Sequence, residues 1–293
     1  MEFRTLRAFV EVVRQGGFSQ AGKAVFATQS TVSKAVKQLE EELGAPLLDR
    51  TGHPPRLTDL GEVVYPRAVR MLADRDNLSA ELAELRGLTR GTLRLGLAPV
   101  ASSSLFAPLL ARYRSAYPGI EVRLTEHGGD RLIDLVRSGD LELAATVPPD
   151  TEDFDWQDVK REPLMAVLAA DHPLACRTSV DMDTLKDLPF ILFAEGFAIN
   201  RLVADACRRR GFEPVVTARS SQVDFLVELA ASGLGVAFLP RFLAEQSRSA
   251  RVSVLVLTEQ QTEWRLAMVW RRGAYVSHAA RAWLEMAKGQ IGP

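Results

Sequence analysis

The chain has 293 residues, 47% hydrophobic and 25% charged, with 20 glycines and 15 prolines. That composition excludes a disordered or fibrous chain and suits two or three folding units. Two cysteines, Cys176 and Cys207, cannot build a disulfide framework, and no apolar run reaches the ~18–20 residues of a membrane span. The opening MEFRTLRAFVEVV mixes an acid with arginines, unlike a secretion leader, so a cytoplasmic protein with no membrane partner is expected.

The net charge of −1 is uninformative, but its distribution is not. Residues 1–39 carry six basic side chains (Arg4, Arg7, Arg14, Lys23, Lys34, Lys37) against Glu2 and Glu11. A basic, helical start on a slightly acidic chain fits a phosphate-binding module or, more blandly, a solvated helix surface. Leu6, Phe9, Val10 and Val13 follow the i, i+3, i+4, i+7 spacing of an amphipathic helix that Gly16-Gly17 ends. Ser19 is placed to cap a short helix to Val25, and Thr28 to cap a third helix that Gly44 and Pro46 terminate. In that third helix Val32, Val36, Leu39 and Leu43 should face inward. Gln29, Ser33 and Lys37, flanked by Ser30, Thr31 and Lys34, give the outer face amides, hydroxyls and ammonium groups, which hydrogen-bond base edges and phosphates in a DNA major groove. This is helix-turn-helix order, and residues 47–58 read as a β-wing with Arg50 and Arg56 turned to the DNA backbone. A small helical protein-interaction domain is the competing reading.

The segment GGFSQAGKAVFATQSTVSKAVKQLEEELGAPLLDRTGHPPRLTDLG resembles the N-terminal domain of the LysR-type transcriptional regulators. The resemblance rests on Gly-x-Phe-Ser-x-Ala, Thr-Gln-Ser-x-Val-Ser, Gln-Leu-Glu-x-x-Leu-Gly, Leu-Leu-x-Arg and Leu-Thr-x-x-Gly, in the family's order and spacing. Four positions depart from it. Gly22 stands where a second alanine is usual and should loosen the short helix, Ser30-Thr31 replaces a frequent proline, and Leu48 replaces a frequent phenylalanine.

Thr58 should cap a long helix from Asp59 to about Arg86, kinked at Pro66. Leu57, Val64, Met71, Leu78 and Leu85 recur every seven residues and, with Leu60, Ala68 and Leu82, form a stripe suited to a second helix. Either a partner subunit or the chain's own C-terminal part covers this stripe. The resemblance implies a homodimer or homotetramer paired through it, holding two recognition helices on half-sites of an interrupted palindrome.

From residue 92 short β-rich runs alternate with helical segments, the pattern of α/β sheets with crossover helices. The resemblance implies a two-lobed, periplasmic-binding-protein-like effector domain. The expected layout is therefore a winged helix-turn-helix domain (1–58), a linker helix (59–90) and an effector domain (91–293). Its lobe I would span about 91–163 and 266–293, and its lobe II about 164–265. Ligands in such sheets lie beyond strand C-termini near helix N-termini, where Ala101, Ser102 and Ser103 fall after the first strand. Those serines bind an anionic group or simply cap the helix. By analogy with the family's inter-lobe cleft, Val100, His127, Gly129, Thr146, Glu195, Phe197 and Gln222 join them. Glu195 opposes an anionic ligand unless Arg201 offsets it, so the effector's charge stays open.

Four scattered histidines and the lack of metal-ligand spacings, a Gly-x-Ser-x-Gly elbow or a phosphate loop argue against an enzyme or a cofactor. The chain thus reads as a ligand-responsive regulator binding double-stranded DNA and a small effector, with RNA polymerase as a further partner. The alternative is a cytoplasmic small-molecule-binding protein with a helical interaction module. Cys176 and Cys207 form either a peroxide-sensing pair, as in some family members, or two inert thiols.

Overall fold

The computed structural model describes residues 1–52, 54–85, 91–101 and 105–288. They fall in two compact units, one of residues 1–89 with 137–140, the other of residues 90–136 and 141–293.

The first unit opens with α1 (Phe3–Gln15), α2 (Phe18–Ala24) and α3 (Gln29–Leu43). Gly16 and Gly44 end α1 and α3 in the left-handed conformation, which only glycine adopts without steric cost. Gly17 rather than Ser19 is the N-cap of α2, so Ser19 lies exposed within its first turn and caps nothing. The helix runs unbroken through Gly22, contrary to the expected loosening. Glycine is used there for close approach, because a Cβ would stand 2.8 Å from the Ala27 carbonyl oxygen.

Leu6, Phe9 and Val10 of α1 pack against Val32, Val36 and Leu39 of α3 in one core. Each such side chain removed from water is worth roughly 1.5–3 kcal/mol before entropy is subtracted. Leu43 is the exception to the inward set: it is the last residue of α3, beyond the reach of the core, and is 38% exposed. The wing follows as β1 (Leu48–Asp49) and β2 (Arg56–Leu57), antiparallel with Leu48 opposite Leu57. The Asp49 carboxylate accepts from the Thr51 amide (2.9 Å) and hydroxyl (2.7 Å), which holds its pKa below the usual carboxylate value.

α4 (Asp59–Leu85) is capped by Thr58, whose hydroxyl accepts from the Gly61 amide at 3.1 Å, and is one continuous helix through Pro66. Its first half belongs to the head. Ala68, Val69 and Leu72 are buried in the same core as α1 and α3, Leu60 and Val64 pack on it, and Tyr65 meets Phe9 edge-on. A division at residue 58 thus cuts through a shared core. Met71, Leu78 and Leu82 of the same helix are exposed.

The second unit comprises β3 (Gly91–Leu97), α5 (Pro99–Ala101), α6 (Ala107–Ala116), β4 (Ile120–Glu126), α7 (Gly129–Ser138), β5 (Leu143–Thr146) and β6 (Phe154–Ala169). It continues with β7 (Ser179–Val180), α8 (Met182–Leu185), β8 (Phe190–Phe193), α9 (Ala198–Arg209), β9 (Val216–Ser220) and α10 (Val223–Ala231). β10 (Val236–Pro240), α11 (Arg241–Gln246), β11 (Val252–Leu257), β12 (Glu263–Arg271) and α12 (His278–Lys288) complete it. The main sheet runs β4-β3-β5-β12-β6-β10-β8-β9.

Strand β6 joins the two lobes. Its residues 154–163 pair antiparallel with β12, and residues 164–169 pair with β10 and β11. β6 is therefore a 16-residue ribbon common to both lobes. β12 pairs with the first half of β6 from Glu263 onward, so that residue already belongs to lobe I.

Candidate nucleic-acid interface and effector cleft

α3 presents a polar N-terminal end because its apolar residues are spent on the core. Thr28 caps it: its hydroxyl accepts from the Thr31 amide at 3.2 Å and lies 3.0 Å from the Ser30 and 2.8 Å from the Thr31 hydroxyl. Gln29, Ser30, Thr31 and Lys34 are exposed, while Ser33 is half-buried. Lys37, one turn further on, makes an exposed ion pair with Glu41 at 3.4 Å. The first two turns thus gather hydroxyls, an amide and an ammonium, groups that donate to phosphate and base edges.

Arg50 is not the free backbone contact the sequence suggested. Its guanidinium donates to Glu40 at 2.6 Å and lies over the Phe18 ring, 5.1 Å from its centroid. The same Glu40 carboxylate accepts from the Leu47 and Leu48 amides at 2.9 and 3.3 Å. The glutamate of the Gln-Leu-Glu motif is therefore a clamp that ties the wing to α3, and Arg50 is part of the clamp. Arg56 on β2 is exposed.

Beside α3 lies a cavity of about 450 Å³, lined by Arg4, Arg7, Ala8, Val25, Ala27, Thr31, Val32, Lys34, Ala35 and Gln38. Sequence reasoning missed Arg4 and Arg7 as site residues, since no motif joins α1 to α3. The available signal was their i, i+3 spacing with Ala8 next in line.

In the second unit two sets of parallel strands end at one cleft. β3 is parallel to β4 and β5, which brings Val100, His127, Gly129 and Thr146 to the C-terminal edge of lobe I. β8 is parallel to β9 and β10, which does the same for Glu195, Phe197 and Gln222 in lobe II. The edges touch: the Asp130 amide donates to the Gly196 carbonyl at 3.3 Å, and a Cβ on Gly128 would stand 3.1 Å from that oxygen. Arg201 pairs with Asp130 at 3.1 Å, so its charge is directed to that carboxylate rather than to Glu195.

His127, Glu195 and Gln222 are exposed at this cleft, and the Thr146 hydroxyl lies so close to Gly129 that a Cβ there would meet it at 2.5 Å. Val100, Phe197 and Thr146 are all buried at this edge. Val100 is buried in the core, and Phe197 is buried in a stack on Phe193 with centroids 5.1 Å apart. Asn200, which the sequence did not flag, holds the Glu195 loop. Its side chain accepts from the Phe193 amide and donates to the Phe193 and Ala194 carbonyls, at 2.9–3.1 Å. Ser102, Ser103 and the side chains of Ala101 and Leu85 lie outside the described residues.

A winged helix-turn-helix head, a long helix with an exposed apolar face and a two-lobed α/β unit with facing strand ends define a DNA-binding regulator that carries its own sensing domain. Residues 3–62 match the bacterial regulatory helix-turn-helix proteins of the lysR family, and residues 86–292 match the LysR substrate binding domain. An HTH-type transcriptional regulator of Bacillus subtilis, YwbI, is 35% identical over 292 residues, covering 99% of this chain and 97% of its own. A probable hydrogen peroxide-inducible genes activator of Mycobacterium avium is 30% identical over 270 residues, covering 91% of this chain and 86% of its own. A full-length OxyR from Pseudomonas aeruginosa, in a form with one cysteine replaced by aspartate, superposes with a TM-score of 0.77 at 25% identity, covering 98% of this chain and 95% of that one. The chain belongs to the LysR family: it is a DNA-binding transcriptional regulator with an effector-binding domain. The match over residues 3–62 decides against the alternative of a ligand-binding protein with a helical appendage.

Proposed function

We propose that Gln29, Ser30 and Thr31 read base edges in the major groove, and that Ser33, Lys34 and Lys37 position the helix on phosphates, with Ser19 and Arg56 in support. Thr28 shapes the helix end, and Arg50 acts through the wing. The observation that carries this reading is the division of α3, with Val32, Val36 and Leu39 sealed in the core and the hydroxyl, amide and ammonium groups of its first turns exposed. In a duplex-binding titration, Lys34→Ala weakens binding to specific and scrambled duplexes alike, whereas Gln29→Ala also narrows the ratio between them. Unchanged binding in both variants would refute the assignment.

Two heads pair through Met71, Leu78 and Leu82 of α4, as a dimer or as a tetramer built from dimers. Val64 contributes by packing on the head instead. Two-fold pairing reads an interrupted palindrome, with half-sites one helical turn (~34–36 Å) or multiples apart. A small molecule held by Thr146, Gly129, His127, Glu195 and Gln222 biases one assembly state over another through its differential affinity for the two. The protein acts without catalysis or cofactor, in the cytoplasm, with RNA polymerase as its downstream partner. A thermal-shift screen of metabolites, with hits retested for an altered DNA footprint, tests the effector part.

A further inference from the structure

The cavity beside α3 has a particular construction. Thr31, Lys34, Ala35 and Gln38 occupy i, i+3, i+4 and i+7 of α3, and Arg4, Arg7 and Ala8 occupy i, i+3 and i+4 of α1. Two helical stripes therefore face each other. The small side chains Ala8, Ala27 and Ala35, with Val25 and Val32, leave the space and form an apolar floor; Arg4, Arg7, Lys34, Thr31 and Gln38 form a rim made of donors.

No acid lines this space. Arg4 has only Glu2 at 3.8 Å, Arg7 reaches Asp76 at 3.3 Å on an exposed surface, and Lys34 has no ion pair among the described residues. Exposed pairs of this kind neutralise little. Three cations at the rim of an apolar floor suit a compact anion with a less polar attachment. A phosphodiester with its deoxyribose has that chemistry and fits in about 450 Å³.

We propose that this cavity seats a backbone phosphate of the bound DNA, clamped by Arg4 and Arg7 from α1 and by Lys34 from α3. The proposal rests on α3 being the helix that enters the groove. Thr31 and Lys34 belong both to that helix's exposed end and to the cavity rim, so docking the one brings DNA backbone to the other. The clamp fixes register on the duplex and carries no base preference.

The test is a salt titration of DNA binding by the full-length protein, on a duplex selected by the wild type and on a scrambled duplex. Both arginines are exposed, so R4Q/R7Q folds normally, as a melting curve verifies. The expected result is a log K against log salt slope shallower by about 0.9, the value of one lost phosphate contact, with the specific-to-scrambled ratio unchanged. R4K/R7K, which keeps the charges, retains the slope, and D76N, which removes the acid that Arg7 shares with Arg75, does not make it shallower. An unchanged slope in R4Q/R7Q overturns the seat. Saturable binding of ribose 5-phosphate by DNA-free protein, abolished in R4Q/R7Q, overturns DNA as the source in favour of a free phosphorylated ligand. Failure of the wild type to show any salt-dependent DNA binding marks instead the collapse of the reading of α3, and this proposal goes with it.

Discussion

Glu40→Ala should loosen the wing without dissolving the three-helix core. The carboxylate takes three hydrogen bonds, from the Leu47 amide, the Leu48 amide and the Arg50 guanidinium, and its side chain is only 12% exposed. A hydrogen bond to a charged group contributes about 1.5–3 kcal/mol, and donors left unpaired in a part-buried place retain their desolvation cost. Because all three bonds share one acceptor group they do not add fully, and about 2–3 kcal/mol of local stability should be lost. At 1.4 kcal/mol per tenfold, that is a roughly 30- to 150-fold loss of hydrogen-exchange protection at the Leu47 and Leu48 amides, while amides in the middle of α1 change little. Glu40→Gln keeps an acceptor for both amides and gives up the charge, so its loss should be about 1 kcal/mol. Equal protection at Leu47 and Leu48 in Glu40→Ala and wild type would refute the clamp and restore Arg50 as a free DNA contact.

Leu78→Asp with Leu82→Asp should shift sedimentation toward the monomer and leave the circular dichroism unchanged, because both side chains are exposed at 56% and 47%; an intact oligomer would remove them from the interface. Gly128→Val should prop the lobes apart, since even a Cβ would stand 3.1 Å from the Gly196 oxygen, and should cut the thermal shift given by any cleft ligand while folding persists. Burial pushes the Cys207 thiol up to about 11, with Glu213 adding to the effect, whereas Cys176 is exposed. At pH 8 a disulfide reagent should therefore titrate one thiol per folded chain, and rapid modification of both would refute the burial argument. Because the raised value favours the neutral thiol in the folded state, its contribution to stability is complete below about pH 9 and disappears as pH rises through about 11.

The head was legible wherever one periodicity governs one helix. Val32, Val36 and Leu39 announce the buried face of α3, and Thr28 and Gly44 announce its ends. Ser19 misled because a serine near a glycine pair looks like a cap, but the extended backbone of Gly17 lets Phe18 start the helix. The heptad stripe of α4 was visible, yet periodicity does not say what covers it. Leu60, Val64 and Ala68 meet the head's own core, while Met71, Leu78 and Leu82 do not. In the second unit the alternation of strands and helices declared the fold class. It did not declare the first half of β6, where Asp155, Gln157, Asp158, Lys160, Arg161 and Glu162 obscure the strand pattern. At the cleft, analogy with the family suggested Val100 and Phe197, and periodicity could not say that packing buries both side chains. The surroundings of Arg4, Arg7 and Asn200 were harder to read, because they arise only when distant segments meet.

The 16-residue ribbon β6 is a single piece of strand common to both lobes. A flexible linker would let the halves drift apart at no elastic cost, but a strand hydrogen-bonded to β12 at one end and to β10 and β11 at the other can only bend and twist. Pro163 sits where the ribbon changes partners and offers no amide to the ladder. Any change in the angle between the lobes would have to be taken up within this one strand.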